Sequence, residues 1–284
     1  MHENDDFNVY QHGKNSLNDV LNFLSRLEKG LHLKDIERRK EKNQTTESFL
    51  LNTALTATSA GKALYRKNSQ ADEFLTSTWM ALVKNRADRI RVTHRVRDFT
   101  AFSDDELRAL AKISTDVKNL KYLPEYIAKN FGVILIIEPY FQTMKTDGCA
   151  MRLDSGVPVI GLSLRYNRYD SFWFTLMHEM SHVALHYDDL STPIIDDLDD
   201  YGEDESEKET EANRLAIDSL VPRNVYRKMM LEHQSKERLF EHAKNAQIHP
   251  SIAAGLIRHK TKNYKIYSHL VNEINVASEL GVER

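Results

Sequence analysis

The sequence predicts an α+β fold: a mainly helical first part, then a small sheet beside one long buried helix. Three observations predict it. Residues 1–100 hold few strand signals and few glycines, while apolar residues recur there at helical spacing. Between Val133 and Leu164 come three apolar runs separated by turn residues. From Asp170 to His186 apolar side chains fall on nearly every face, so that helix is buried almost all round.

Taken in order, residues 1–15 are acidic and polar, and are expected to be disordered or loosely docked. Leu17, Val20, Leu21, Leu24 and Leu27 then mark an amphipathic helix ending near Gly30. Residues 34–48 read as a polar-surfaced helix or a linker, and Leu75, Trp79, Leu82 and Val83 as a further helix. These make up a helical region over 1–100, followed by a second domain over 101–284. Ser103 and Glu106 form a capping-box pattern that opens a helix carrying Leu107, Leu110 and Ala111. Pro124 suits the first turn of the next helix, and Gly132 its C-terminal end. Val133 to Ile137 is a buried strand stopped by Pro139. Cys149–Leu153 and Val157–Leu164 are two more, joined by a turn at Asp154-Ser155-Gly156. A helix over about 206–220 ends at Pro222, and two or three more finish the chain.

The 284 residues are 41% apolar, enough for one large core or two small ones, and the net charge of -3 selects no partner class. One cysteine, Cys149, excludes an intramolecular disulfide framework and any cysteine-rich metal site, and suits a reducing compartment. The N-terminal residues lack the apolar core of a signal peptide, and no stretch approaches the roughly 18 apolar residues that span a bilayer. The expectation is a cytoplasmic protein without membrane contact.

The chemistry centres on His178-Glu179-Met180-Ser181-His182. Histidines four apart on a helix project from one face and can fill two corners of a tetrahedral zinc site. Glu179 is placed to take a proton from a water that zinc has acidified, without itself ligating the metal. The bland alternative is a buried hydrogen-bonded histidine pair. It leaves the burial of two imidazoles and a carboxylate uncompensated, whereas a metal offsets that cost.

Several residues could complete the site. Asp188 would need a chain turn that Leu185 does not favour, and His186 sits a full turn further along the helix. Glu209 and Asn213, four apart on the later helix, can supply a ligand and a hydrogen bond to a ligand histidine. Glu207 stands near that helix's start, and Glu211 points about 200° away from Glu209. All three carboxylates could instead be an ordinary acidic first turn.

Here the sequence resembles a known family. The stretch from Pro158 to Tyr166, then Asp170 to Leu176 and HEMSH, is similar to the ImmA/IrrE metallopeptidases. The nearest likeness is to the branch fused to HigA-type helix-turn-helix antitoxins. Thr146 to Ala150, the segment Glu209-x-Glu211-Ala212-Asn213-x-x-Ala216 closing with Leu220-Val221-Pro222, and Ile248 to Ile252 with Gly255 agree with it. The resemblance covers about residues 100–270. It implies a zincin-like, gluzincin-type domain, with Zn2+ held by His178, His182 and Glu209, Asn213 supporting them, and Glu179 as general base. It also implies regulated cleavage of a protein such as a repressor or antitoxin.

One feature of that branch is missing: residues 1–100 show no recognisable helix-turn-helix. Arg86, Arg89, Arg91, Arg95 and Arg97 form a basic cluster, read as a solvated or internally paired face rather than a direct nucleic-acid surface. Asp188 to Glu211 carries twelve acidic residues and one basic one, Lys208, and joins the two metal-bearing helices. It could bar the site until a partner moves it, or favour basic peptides. The rival to a zinc endopeptidase is a regulatory module that binds a repressor, toxin or nucleic acid without cutting. Glu179 favours the enzyme, since a purely structural zinc site needs no such carboxylate. Tyr166, Tyr169, His186 and Tyr187 are the candidates for stabilising an oxyanion.

Overall fold

A computed structural model describes residues 16–59, 70–196 and 206–282. The expectation for residues 1–15, and the middle of the acidic segment, lie outside that range. The chain divides into two compact units, 1–68 and 69–284.

In the first unit, α1 (Leu17–Gly30) opens with Ser16 and Asp19 in a reciprocal capping box. α2 (Leu33–Arg39) is short, and α3 (Thr46–Ser59) packs against α1. Val20, Phe23 and Leu27 of α1 and Phe49, Leu50, Ala54 and Ala57 of α3 are buried.

The second unit is α+β and mostly helical. It opens with α4 (Gln70–Thr93), α5 (Asp104–Lys112) and α6 (Leu123–Asn130). The predicted Ser103–Glu106 capping box opens α5, and Pro124 sits in the first turn of α6. Gly132 follows α6 at φ +66°, its α-carbon packed against the backbone of Arg97 and Phe99, so a side chain there would be strained and would clash.

Strands β1 (Ile134–Ile137), β2 (Gly148–Arg152), β3 (Pro158–Leu162) and β4 (Ile194–Asp196) lie in the order β1-β3-β2-β4. β1 runs parallel to β3, while β2 runs antiparallel to both β3 and β4. The turn at Gly156, φ +87°, closes β2 onto β3 as the sequence indicates. β4 is a strand that the sequence reading leaves inside an acidic loop.

The pleat sends alternate residues to opposite faces. Leu135, Ala150, Ile160 and Leu162 face the main core, against α7 (Tyr169–His186). On the other face Gly161 lies under α4: a β-carbon there would stand 3.0 Å from both Trp79 and Val83. Trp79 Nε1 donates to the Glu138 carbonyl at 2.7 Å, and Arg86 pairs with the buried Glu138 carboxylate at 3.0 Å. Arg97 donates to the Asn130 carbonyl, so two members of the basic cluster are bound internally.

α8 (Glu207–Leu220) lies across α7. Then come α9 (Arg223–Leu231), α10 (Lys236–Ala246), α11 (Pro250–Thr261), α12 (Ser268–Val271) and α13 (Val276–Leu280), five short helices where two or three are expected. α11 packs closely on α7 because position 255 is glycine; a β-carbon there would fall 2.5 Å from Asp170 Oδ2.

Candidate metal centre

α7 is buried on nearly every side. His178, Glu179 and His182 are fully buried among Leu176, Met177, Met180 and Val183, while Leu185 turns outward at 47% exposure. α8 begins at Ser206, whose hydroxyl accepts from the Glu209 amide, and presents Glu209 to α7 in its first turn.

Three donor atoms converge there. His178 Nε2 and His182 Nε2 are 3.0 Å apart, and Glu209 Oε2 lies 3.2 Å from the first and 3.4 Å from the second. Ligands about 2.05 Å from a tetrahedral zinc are separated by roughly 3.3 Å, so these spacings match three corners of such a site. Two imidazoles and one carboxylate are also a donor set that suits zinc. Among the described residues this is the group of histidines and acids gathered closely enough to hold a metal ion. Burial alone would raise the Glu209 pKa; the hydrogen bonds and charge of His178 and His182 outweigh it and hold the carboxyl well below its ordinary range.

Glu179 lies over the start of β2. A β-carbon on residue 148 would stand 2.2 Å from Glu179 Oε1 and 2.9 Å from the Thr175 methyl. Gly148 therefore leaves the space that the Glu179 carboxylate occupies. Nothing local to residue 148 announces this role, because its constraint comes from a helix about thirty residues away.

The outer nitrogen of His182 is also engaged. His182 Nδ1 is 3.2 Å from His186 Nδ1, and His186 Nε2 is 3.3 Å from Glu211 Oε2. Were Nε2 of His182 to hold a metal ion, its ring proton would sit on Nδ1 and be donated to His186 Nδ1, leaving His186 Nε2–H to donate to Glu211. Each tautomer in the chain follows from the one before. Glu211, expected to face solvent, is exposed yet touches His186. Asn213 lies one turn beyond Glu209 and is half-buried.

The other candidate ligands lie elsewhere. Asp188 is exposed in a single-turn helix after α7, and Glu207 is exposed at the start of α8. Asp189 pairs with Lys208 at 2.8 Å, joining the two ends of the acidic segment. Of the oxyanion candidates, Tyr169 donates its hydroxyl to the Ser114 carbonyl and Tyr187 to the Gly156 carbonyl. His186 is held between His182 and Glu211, and Tyr166 is partly exposed beside Arg165 and Arg168.

No helix among the described residues is long and apolar enough to cross a membrane. Among curated proteins, none matches the chain. A family model, Peptidase M78, described as the IrrE N-terminal-like domain, matches residues 112–254, half of the chain. That span contains β1 to β3, the whole of α7 and α8, and with them His178, Glu179, His182 and Glu209. The chain belongs to the M78 peptidase family.

Proposed function

We propose that the protein is a zinc-dependent endopeptidase with a zincin-like, gluzincin-type site, which cuts a specific regulatory protein such as a repressor or antitoxin. The observation that carries this reading is the convergence of His178, His182 and Glu209 beside a buried Glu179. These three residues hold the zinc. Zinc, when bound, supplies Lewis acidity, which polarises a carbonyl and brings the pKa of water toward roughly 7. Glu179 takes the proton from the attacking water and returns it to the leaving nitrogen. Gly148 keeps β2 clear of that carboxylate. His186 and Glu211 fix the ring of His182, and α7 keeps the centre dry on its core side.

The test is cleavage of repressors or antitoxins encoded beside the gene, followed by mass spectrometry, with wild type and Glu179→Gln. The variant keeps the shape of the side chain but cannot serve as a base. The expected result is zinc in both proteins and a cut by wild type alone. Equal cleavage by both removes Glu179 from its role. Tight binding of the partner by wild type without any cut replaces the enzyme by a non-proteolytic binding module.

A further inference from the structure

One turn before His178 a cavity of about 650 Å³ opens between the first half of α7 and α11. That is the size of small-ligand pockets. Phe174 lines it, and its ring lies near both His178 and His259, with centroids 6.3 and 6.4 Å away. Leu164, Phe172, Phe174, Ile252 and Leu256 supply apolar wall.

The charge in this lining is uneven. Arg165 makes a two-point pair with Asp147, at 2.8 and 2.6 Å. Arg168 does the same with Asp170, at 3.0 and 3.4 Å. Those pairs take up both carboxylates in the lining, and Arg258 adds a further cation, close enough to Asp170 to feel its charge. Arg258 is 7% exposed. Its Nη2 donates to the Tyr264 carbonyl at 2.7 Å, while its Nε and Nη1 are buried with no hydrogen-bond partner. Burial, and after it the nearby Arg168, push its pKa down. A guanidinium taken out of water without its hydrogen bonds is costly, and native folds seldom keep such a group unless something completes it. A carboxylate in the cavity gives this guanidinium a charge-assisted partner and offsets part of the cost of its burial.

We propose that this cavity binds a ligand with an apolar body and one anionic group, Arg258 being the counter-ion. Such a ligand has two sources: a free small carboxylic acid, or an acidic side chain of a bound polypeptide. The second source rests on the peptidase reading and makes the cavity a specificity pocket; the first does not depend on it.

The experiment is calorimetric titration with 4-phenylbutyrate and its neutral amide, on wild type and Arg258→Gln, before and after zinc is removed with a chelator. Wild type is expected to bind the acid roughly tenfold or more tightly than the amide, with the preference surviving zinc removal. Arg258→Gln should lose the preference yet still bind the amide, which also shows that it folds. An equal affinity for acid and amide in wild type overturns the proposal, whatever the variant does. So does a preference that vanishes with the zinc, which would place the acid on the metal. End-blocked peptides containing glutamate or glutamine, used as competitors, separate the sources. Displacement by the glutamate peptide alone indicates a polypeptide side chain, and displacement by neither a free acid. A loss of cleavage with acid binding intact would count against the peptidase reading and leave this one standing.

Discussion

Two polar clusters lie along α7 about one turn apart, and they handle buried polarity in opposite ways. At the metal centre every imidazole nitrogen of His182 and His186 faces a polar neighbour, ending at Glu211 near solvent. In the cavity beside Phe174, two arginines are paired and a third, Arg258, has two nitrogens without partners. The first cluster gathers three electron-pair donors, a set that suits a cation. The second leaves part of a buried guanidinium unsatisfied, a setting that suits an anion. The charge that each cluster favours is therefore opposite.

The largest effect expected is at the metal centre. Purified protein should carry about one zinc per chain, and His178→Ala or His182→Ala should lose it, since two remaining ligands leave zinc under-coordinated. Glu209→Ala should do nearly the same, while Glu211→Ala should retain most of the metal. Elemental analysis of the four variants decides this. Full zinc in Glu209→Ala together with loss in Glu211→Ala would mean that the other carboxylate faces the ion.

Next comes Gly148→Ala. The added methyl meets the Glu179 carboxylate at an overlap that β2, held between β3 and β4, cannot relieve by moving aside. Overpacking of this kind costs about 1–3 kcal/mol. A displacement of Glu179 near 1 Å costs on the order of a hundredfold in turnover. Thermal unfolding and kcat measured together check it. An alanine variant with unchanged kcat would show that Glu179 has room to spare.

A smaller effect is expected at the end of the histidine chain. His186→Leu removes the acceptor for His182 Nδ1 and should weaken zinc binding roughly 10- to 100-fold, as loss of such supporting contacts does. His186→Asn keeps an acceptor near the Nδ1 position and should recover much of that loss, whereas a merely space-filling role would favour leucine. Competition with a chromogenic chelator gives both affinities.

How far these clusters could be read in the sequence depends on how local their causes are. The HEMSH spacing and its apolar surroundings announce α7, because both histidines stand on one face of a single helix. Glu209 was legible through the four-residue interval to Asn213, and the α5 capping box through Ser103 and Glu106. β4 was not: its apolar content is Ile194 and Ile195 between Pro193 and Asp196, and its strand character comes from pairing with β2. The contact of His186 with Glu211 depends on how α8 crosses α7, which no periodicity encodes. Gly148 and Gly255 are glycines because a carboxylate from α7 lies against each, Glu179 and Asp170 respectively. The partnerless nitrogens of Arg258 are likewise a tertiary fact, since on the page of the sequence that residue is one more cation in the last turn of a basic helix end.

The smallest effect expected is on stability at Arg258, and it bears directly on the contrast between the clusters. On the proposed reading, removing His178 or His182 harms a centre built to hold a metal. Removing Arg258 takes away a group that its surroundings satisfy only in part. Arg258→Gln gives up the bond to the Tyr264 carbonyl and the stacking of the guanidinium near the Tyr264 ring, together about 1–2 kcal/mol. It also relieves the burial of a cation whose Nε and Nη1 are unsatisfied, a relief of similar size. The two nearly cancel, so the midpoint of thermal unfolding should move by only a few degrees in either direction. A drop of ten degrees or more would show that the guanidinium holds α11 to α7, through the nearby Asp170 carboxylate, as firmly as a paired arginine does. In that case the cavity would be a structural joint, and the difference drawn between the two clusters would disappear.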